Sequence, residues 1–161
     1  FGWSELTVGL TLAAIGIVTS LCQALLTGPA EQKLGAQGAA LLGLVCSALA
    51  CLAYGFAGGL VAVLFLILLH GPEGFVHPIL TSILTKRVPE DAQGELQGGI
   101  SAVTNVAMLF GTLFYAMIFA HFWAEAREWR STDVAYFVAA GLLVVTSLLF
   151  WFVARNERRA G

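Results

Sequence analysis

Long apolar runs at 8–27, 39–56, 60–84, 96–120 and 134–153, parted by short polar connectors, constrain this chain more than any other feature. A helix needs about 20 apolar residues to cross the roughly 30 Å of hydrocarbon in a bilayer. No water reaches the backbone there, so each spanning segment must satisfy its own N–H and C=O groups, as a helix does. Five crossings take up about 100 residues, and a chain of 161 leaves little outside them. Composition agrees: 58% of residues are hydrophobic, 11% are charged and the mean hydropathy is +0.85, whereas a soluble domain carries roughly 25% charged residues. The expected fold is all-α, a polytopic transmembrane bundle of five helices.

Local signals set the expected boundaries. The first run is entered through "FGWSELT", where Ser4 is placed to cap the helix and Trp3 to lie at the interface. It is expected to end at Gly28-Pro29, and the connector "GPAEQKLGAQG" leads into the second run, which Gly58-Gly59 closes. So short a turn requires the third run to return antiparallel. That run contains Gly71, Pro72, Gly74 and Pro78; proline removes a backbone donor and clashes with the preceding turn, so a kink is expected. Irregular backbone at membrane depth is tolerated only against protein or a wet cavity, and the kinked stretch should face inward. Beyond "TKRVPEDAQGELQG" lies the fourth run, and "HFWAEAREWRSTD" reads as an amphipathic interfacial segment anchored by Trp123 and Trp129 before the fifth run and the tail "ARNERRAG".

Charge sets further bounds. A net charge of −2 gives no long-range attraction for nucleic acid. Cys22, Cys46 and Cys51 lie within apolar runs, where they act as small hydrophobes and identify no redox compartment. With an odd number of spans, one side holds Lys33, Lys86, Arg87, Arg155, Arg158 and Arg159, and the other holds Arg127 and Arg130. Six against two places the C-terminus in the cytoplasm. The chain opens on Phe1 and enters its first helix almost at once, as a piece of a larger protein would, and no basic region precedes that run as in a signal peptide.

Ionisable residues at membrane depth cost about 2.5 to 3.5 kcal/mol each and are functional candidates by default. His70, Glu73 and His77 are such a group, and spacings of three and four place them near one helical face. A carboxyl raised by burial beside a tuned imidazole could exchange protons, giving a proton-coupling or cation-binding site. Interfacial polarity explains the same residues equally well, and a metal site is a third reading. A membrane-embedded metal protein or hydrolase would need a nucleophile or an open metal position beside them. In the first run Thr19, Ser20, Gln23 and Thr27 share a face; in the fourth, Ser101, Thr104, Asn105, Met108, Thr112 and Tyr115 recur at helical spacing. Either stripe can be a helix-packing seam or a cavity wall. Gly94 and Gly98 permit close helix approach, and Glu90, Asp91 and Glu95 suit the dipole at a helix start.

Two loops carry a family resemblance. Gly28, Glu31, Gln32, Lys33 and Gly35 resemble a worn copy of the major facilitator superfamily loop, with Gln32 in place of its acidic residue. "RVPEDAQGELQGGISAVTN" is similar to the segment between the tenth and eleventh spans of tetracycline-resistance efflux proteins, its hallmark falling on Glu90, Asp91, Gln93, Gly94, Leu96, Gln97 and Gly98. "FGWSELTVGLTLA" and "QALLTGPA" resemble that group's eighth span and its exit. The resemblance implies spans eight to twelve of a proton-coupled drug exporter in a bacterial cytoplasmic membrane. Its partners would be lipid, the N-terminal half, protons and a small amphipathic substrate, without a cofactor. It implies a gating role for the two loops and places Gln23 along the transport pathway. The group's acidic residue in its ninth span, needed for antiport, falls on Ser47, and Glu73 stands where a small residue is usual. A transporter of another organic solute and a non-transporting relative therefore remain alternatives.

Overall fold

The computed structural model describes residues 2–123 and 133–160, and all regular structure among them is helical. It comprises α1 (Glu5–Tyr54), α2 (Leu60–His70), a 3₁₀ turn (Gly71–Phe75), α3 (Val76–Thr85), a second 3₁₀ turn (Glu90–Ala92), α4 (Gln93–Trp123) and α5 (Val134–Ala160). Two units are distinguishable, Phe1–Leu80 with Tyr136–Gly161, and Thr81–Ala135. The interfacial segment around Trp129 lies outside the described residues.

Among the described residues four stretches, not five, are long and apolar enough to cross a membrane: Glu5–Tyr54, Leu60–Thr85, Glu90–Phe122 and Val134–Glu157. The difference lies in α1, where the first two expected spans form one helical stretch of 50 residues. The expected loop at Gly28–Gly38 is absent because the helix runs through Pro29 and breaks only at Gly35, whose φ of 71° and ψ of 163° are not helical. That backbone region is open essentially to glycine alone.

The break reverses the chain. If α1 were straight it would be about 75 Å long, with Thr19 and Gly43 about 36 Å apart. Yet a Cβ on Gly74 would lie 2.7 Å from the Thr19 carbonyl oxygen, and one on Gly43 would lie 2.7 Å from that of Pro72. Both limbs of α1 therefore pack against the same short stretch, and the polypeptide doubles back at Gly35. Ser4 caps the first limb, its hydroxyl accepting from the Thr7 N–H at 3.2 Å.

Small residues make this proximity possible. Ala39, Ala40, Gly43, Ser47, Ala48, Ala50 and Cys51 are the buried small residues of the second limb, and helices in lipid associate through such close van der Waals packing. Val76 and the Pro72 backbone lie against Gly43 of this limb, and Gly71 and Gly74 face Val18, Cys22 and Thr19 of the first; Phe75 and Ile79 are each only 1% exposed. The expected kink is present as the 3₁₀ turn Gly71–Phe75, entered at Pro72, and it packs inward against α1.

α5 runs antiparallel to the second limb of α1. Gln37 Nε2 donates to Glu157 at 3.0 Å near one end, and the Tyr54 and Tyr136 rings lie 5.6 Å apart near the other, beside Phe56 and Phe137 at 5.2 Å. Ala140, Ser147 and Ala154, seven apart, form its buried stripe. In the other unit, no atom of the described residues lies within 4 Å of a Cβ built on Gly94 or Gly98.

Candidate functional site

The third expected span divides its ionisable residues. His70 ends α2 and is half-buried, whereas Glu73 and His77 are exposed. A regular helix would keep all three near one face, but the 3₁₀ turn changes the angular step, and Phe75 and Val76 take the buried side. Among the described residues no three His, Cys, Asp or Glu side chains are gathered so as to hold a metal ion.

His70 instead meets α1. Its Nε2 lies 3.1 Å from the hydroxyl oxygen of Ser47, which is 2% exposed. Two turns on from Ser47, the Tyr54 ring lies 5.9 Å from the imidazole, and Tyr136 of α5 stands behind it. Buried Cys51 sits one turn past Ser47. Three elements of one unit thus assemble an imidazole, a buried hydroxyl and two phenol rings around the end of α2. The arrangement can hold or pass a proton and offers aromatic surface.

Of the other candidates, Gln23, Gly28 and Lys33 belong to the same unit, and Thr104, Asn105 and the Asp91–Gly98 residues belong to the other. Gln23 is exposed on the first limb, its carbonyl accepting from the Thr27 hydroxyl. Thr104 returns its hydroxyl to the Ile100 carbonyl at 2.8 Å, and Asn105 beside it is exposed on α4. Gly28 and Lys33 are exposed on the helical approach to the Gly35 reversal. Asp91, Gln93, Gly94, Gln97 and Gly98 are exposed at the start of α4. Sequence reasoning had not joined Ser47, Tyr54 and Tyr136 to His70. The available signal was that Ser47 and Tyr54, seven apart, share a helical face with Gly43 and Ala40.

Long apolar helices, a glycine reversal and small-residue packing define a multi-pass helical membrane segment. The chain belongs to the Major Facilitator Superfamily, whose family model matches residues 1–161. It is similar to the class C tetracycline resistance protein of Escherichia coli, 35% identical over 90% of this chain and 35% of that protein. The class B protein of Escherichia coli is 35% identical over 75% of this chain and 30% of its own length, and the class H protein of Pasteurella multocida 28% over 91% and 36%. The chain thus spans about a third of the length of the curated relatives it matches. No solved structure matches it. Members of the superfamily are transporters and not enzymes, which removes the hydrolase alternative.

Proposed function

We propose that this chain forms five crossings in the C-terminal half of a proton-coupled exporter of tetracycline-like, amphipathic drugs in a bacterial cytoplasmic membrane. The observation that carries the reading is the Ser47–His70 pair, an ionisable group held against a buried hydroxyl between two long apolar helices, in a chain similar to tetracycline resistance proteins. The reversal at Gly35 supports counting α1 as two crossings.

In this reading the N-terminal half completes the transporter, and the two halves rock about a midplane site that opens to each side in turn. A proton taken up at His70 on one face and released on the other drives the drug outward. Glu73 and His77 serve as further proton-exchanging groups, and Gln23, Thr104 and Asn105 contact substrate. The Gly28–Gly35 segment and the Asp91–Gly98 segment act as cytoplasmic gates. Orientation follows the Lys and Arg count, with the C-terminus cytoplasmic; the Gln37–Glu157 bond supports it by setting the Gly35 reversal at the same end as the tail.

Everted vesicles containing the full-length protein test this. Tetracycline added to energised vesicles should release a proton-gradient-sensitive dye signal, and His70→Gln should abolish the release while tetracycline binding persists. No release by the unaltered protein rejects the drug–proton exchange. Serine in place of the resembled acidic residue favours a second reading, transport of another organic solute, which proton flux evoked by a different compound in the same vesicles would select.

A further inference from the structure

We infer that Ser47 is a positioning residue for His70, a hydroxyl that stays bonded to the imidazole in both of its protonation states. The inference rests on the reading of His70 as the proton carrier. His70 ends α2 just before the 3₁₀ turn, where its backbone has no further α-helical turn to hold it. What fixes the ring lies on α1: the Ser47 hydroxyl at 3.1 Å from Nε2 and the Tyr54 ring 5.9 Å away.

A buried hydroxyl suits a group that titrates. When Nε2 carries a lone pair, the serine O–H donates to it. When Nε2 carries a proton, the ring donates to the serine oxygen, and the serine proton turns back to the carbonyl of Gly43, one helical turn earlier. A carboxylate accepts only and an ammonium donates only, so either would lose its bond in one of the two states. Alanine at 47 would leave Nε2 without its partner, with no comparable donor-acceptor in the small-residue face of Ala40, Gly43 and Ala50.

Other titratable groups face the same place from each packed element. Cys51 and Tyr54 come from the second limb of α1, Cys22 from the first limb beside Gly71, and Tyr136 from α5 behind Tyr54. Glu73 follows His70 by three residues and is exposed. None of these approaches Nε2 through a hydrogen bond as Ser47 does, so the serine variants isolate the effect.

Ring-¹⁵N-labelled histidine in the full-length protein, in detergent, provides the test, with the His70 signals assigned by their loss in His70→Gln. Because the serine bond persists in both states, Ser47→Ala should shift the Nε2 ¹⁵N resonance at both low and high pH, and should change the ratio of Nδ1–H to Nε2–H tautomers. Ser47→Cys, nearly the same shape with a weak donor, should behave like alanine, and Ser47→Thr should restore both readings. An Nε2 resonance and tautomer ratio unchanged in both Ala and Cys variants overturns the inference. Its failure is separable from that of the transport reading: His70→Gln vesicles that retain drug-linked proton release reject His70 as carrier, whatever the serine variants do.

Discussion

The Ser47 hydroxyl and the His70 imidazole, 23 residues apart in sequence, meet at 3.1 Å between the second limb of α1 and the end of α2. Such bonds between membrane helices average about 0.6 kcal/mol. A double-mutant cycle with Ser47→Ala and His70→Gln should return a coupling of about that size, since both residues are in direct contact. Thermal melts of the detergent-solubilised protein supply the four stabilities; strictly additive losses would show that the two side chains do not interact.

Glycines at the crossing separate by what stands opposite them. A Cβ on Gly74 would meet the backbone carbonyl of Thr19 at 2.7 Å, whereas one on Gly71 would meet the Cys22 sulfur at 2.6 Å. A sulfur at the end of a side chain can swing aside and a backbone cannot. Gly74→Ala should therefore cost about 1 to 3 kcal/mol, in the range of overpacked cores, and Gly71→Ala distinctly less. Equal melting temperatures for the two variants would contradict the packing described here.

The reversal depends on one residue. Gly35 has φ 71° and ψ 163°, and an L side chain in such a region costs about 1 to 3 kcal/mol. Nothing lies within 4 Å of a Cβ at this position, so any loss on Gly35→Ala reflects backbone strain and not crowding. The variant should melt lower, and Gly38→Ala, with ordinary helical backbone, should lose less.

Gln37 and Glu157 join the start of the second limb to the end of α5 at 3.0 Å. Replacing the amide by a cation turns this bond into an ion pair, so Gln37→Lys should stabilise the protein by about 0.2 to 1 kcal/mol at low salt, with the gain fading in high salt. Single cysteines placed at 37 and at 157 should both be shielded from a membrane-impermeant maleimide in intact cells and both react with it in everted vesicles. Labelling from opposite faces would separate the two ends.

How far the sequence revealed this architecture depends on the kind of signal. The apolar run Leu60–Leu69 and the Ser4 cap were readable because each is local: a stretch of hydrocarbon side chains, and a hydroxyl beside a helix start. The 3₁₀ turn was legible as a kink because Pro72 removes a donor wherever it sits. The connector was not. Its polar residues Glu31, Gln32 and Lys33 suggested a loop, but they are also good helix formers, and the helix continues through them until Gly35. Within the candidate site His70 stood out by its charge, whereas Ser47 and Tyr54 looked like ordinary members of an apolar face. Their significance comes from a long-range pairing that no periodicity within one run encodes.

A reversal confined to Gly35 joins two long helical rods without slack. A loop of several residues would absorb a twist of one rod before the next felt it, but here a rotation of either rod must pass through one pair of backbone torsions. The first and second limbs of α1 are thereby geared to each other, and a tilt imposed where Thr19 meets Gly74 is felt where Gly43 meets Pro72.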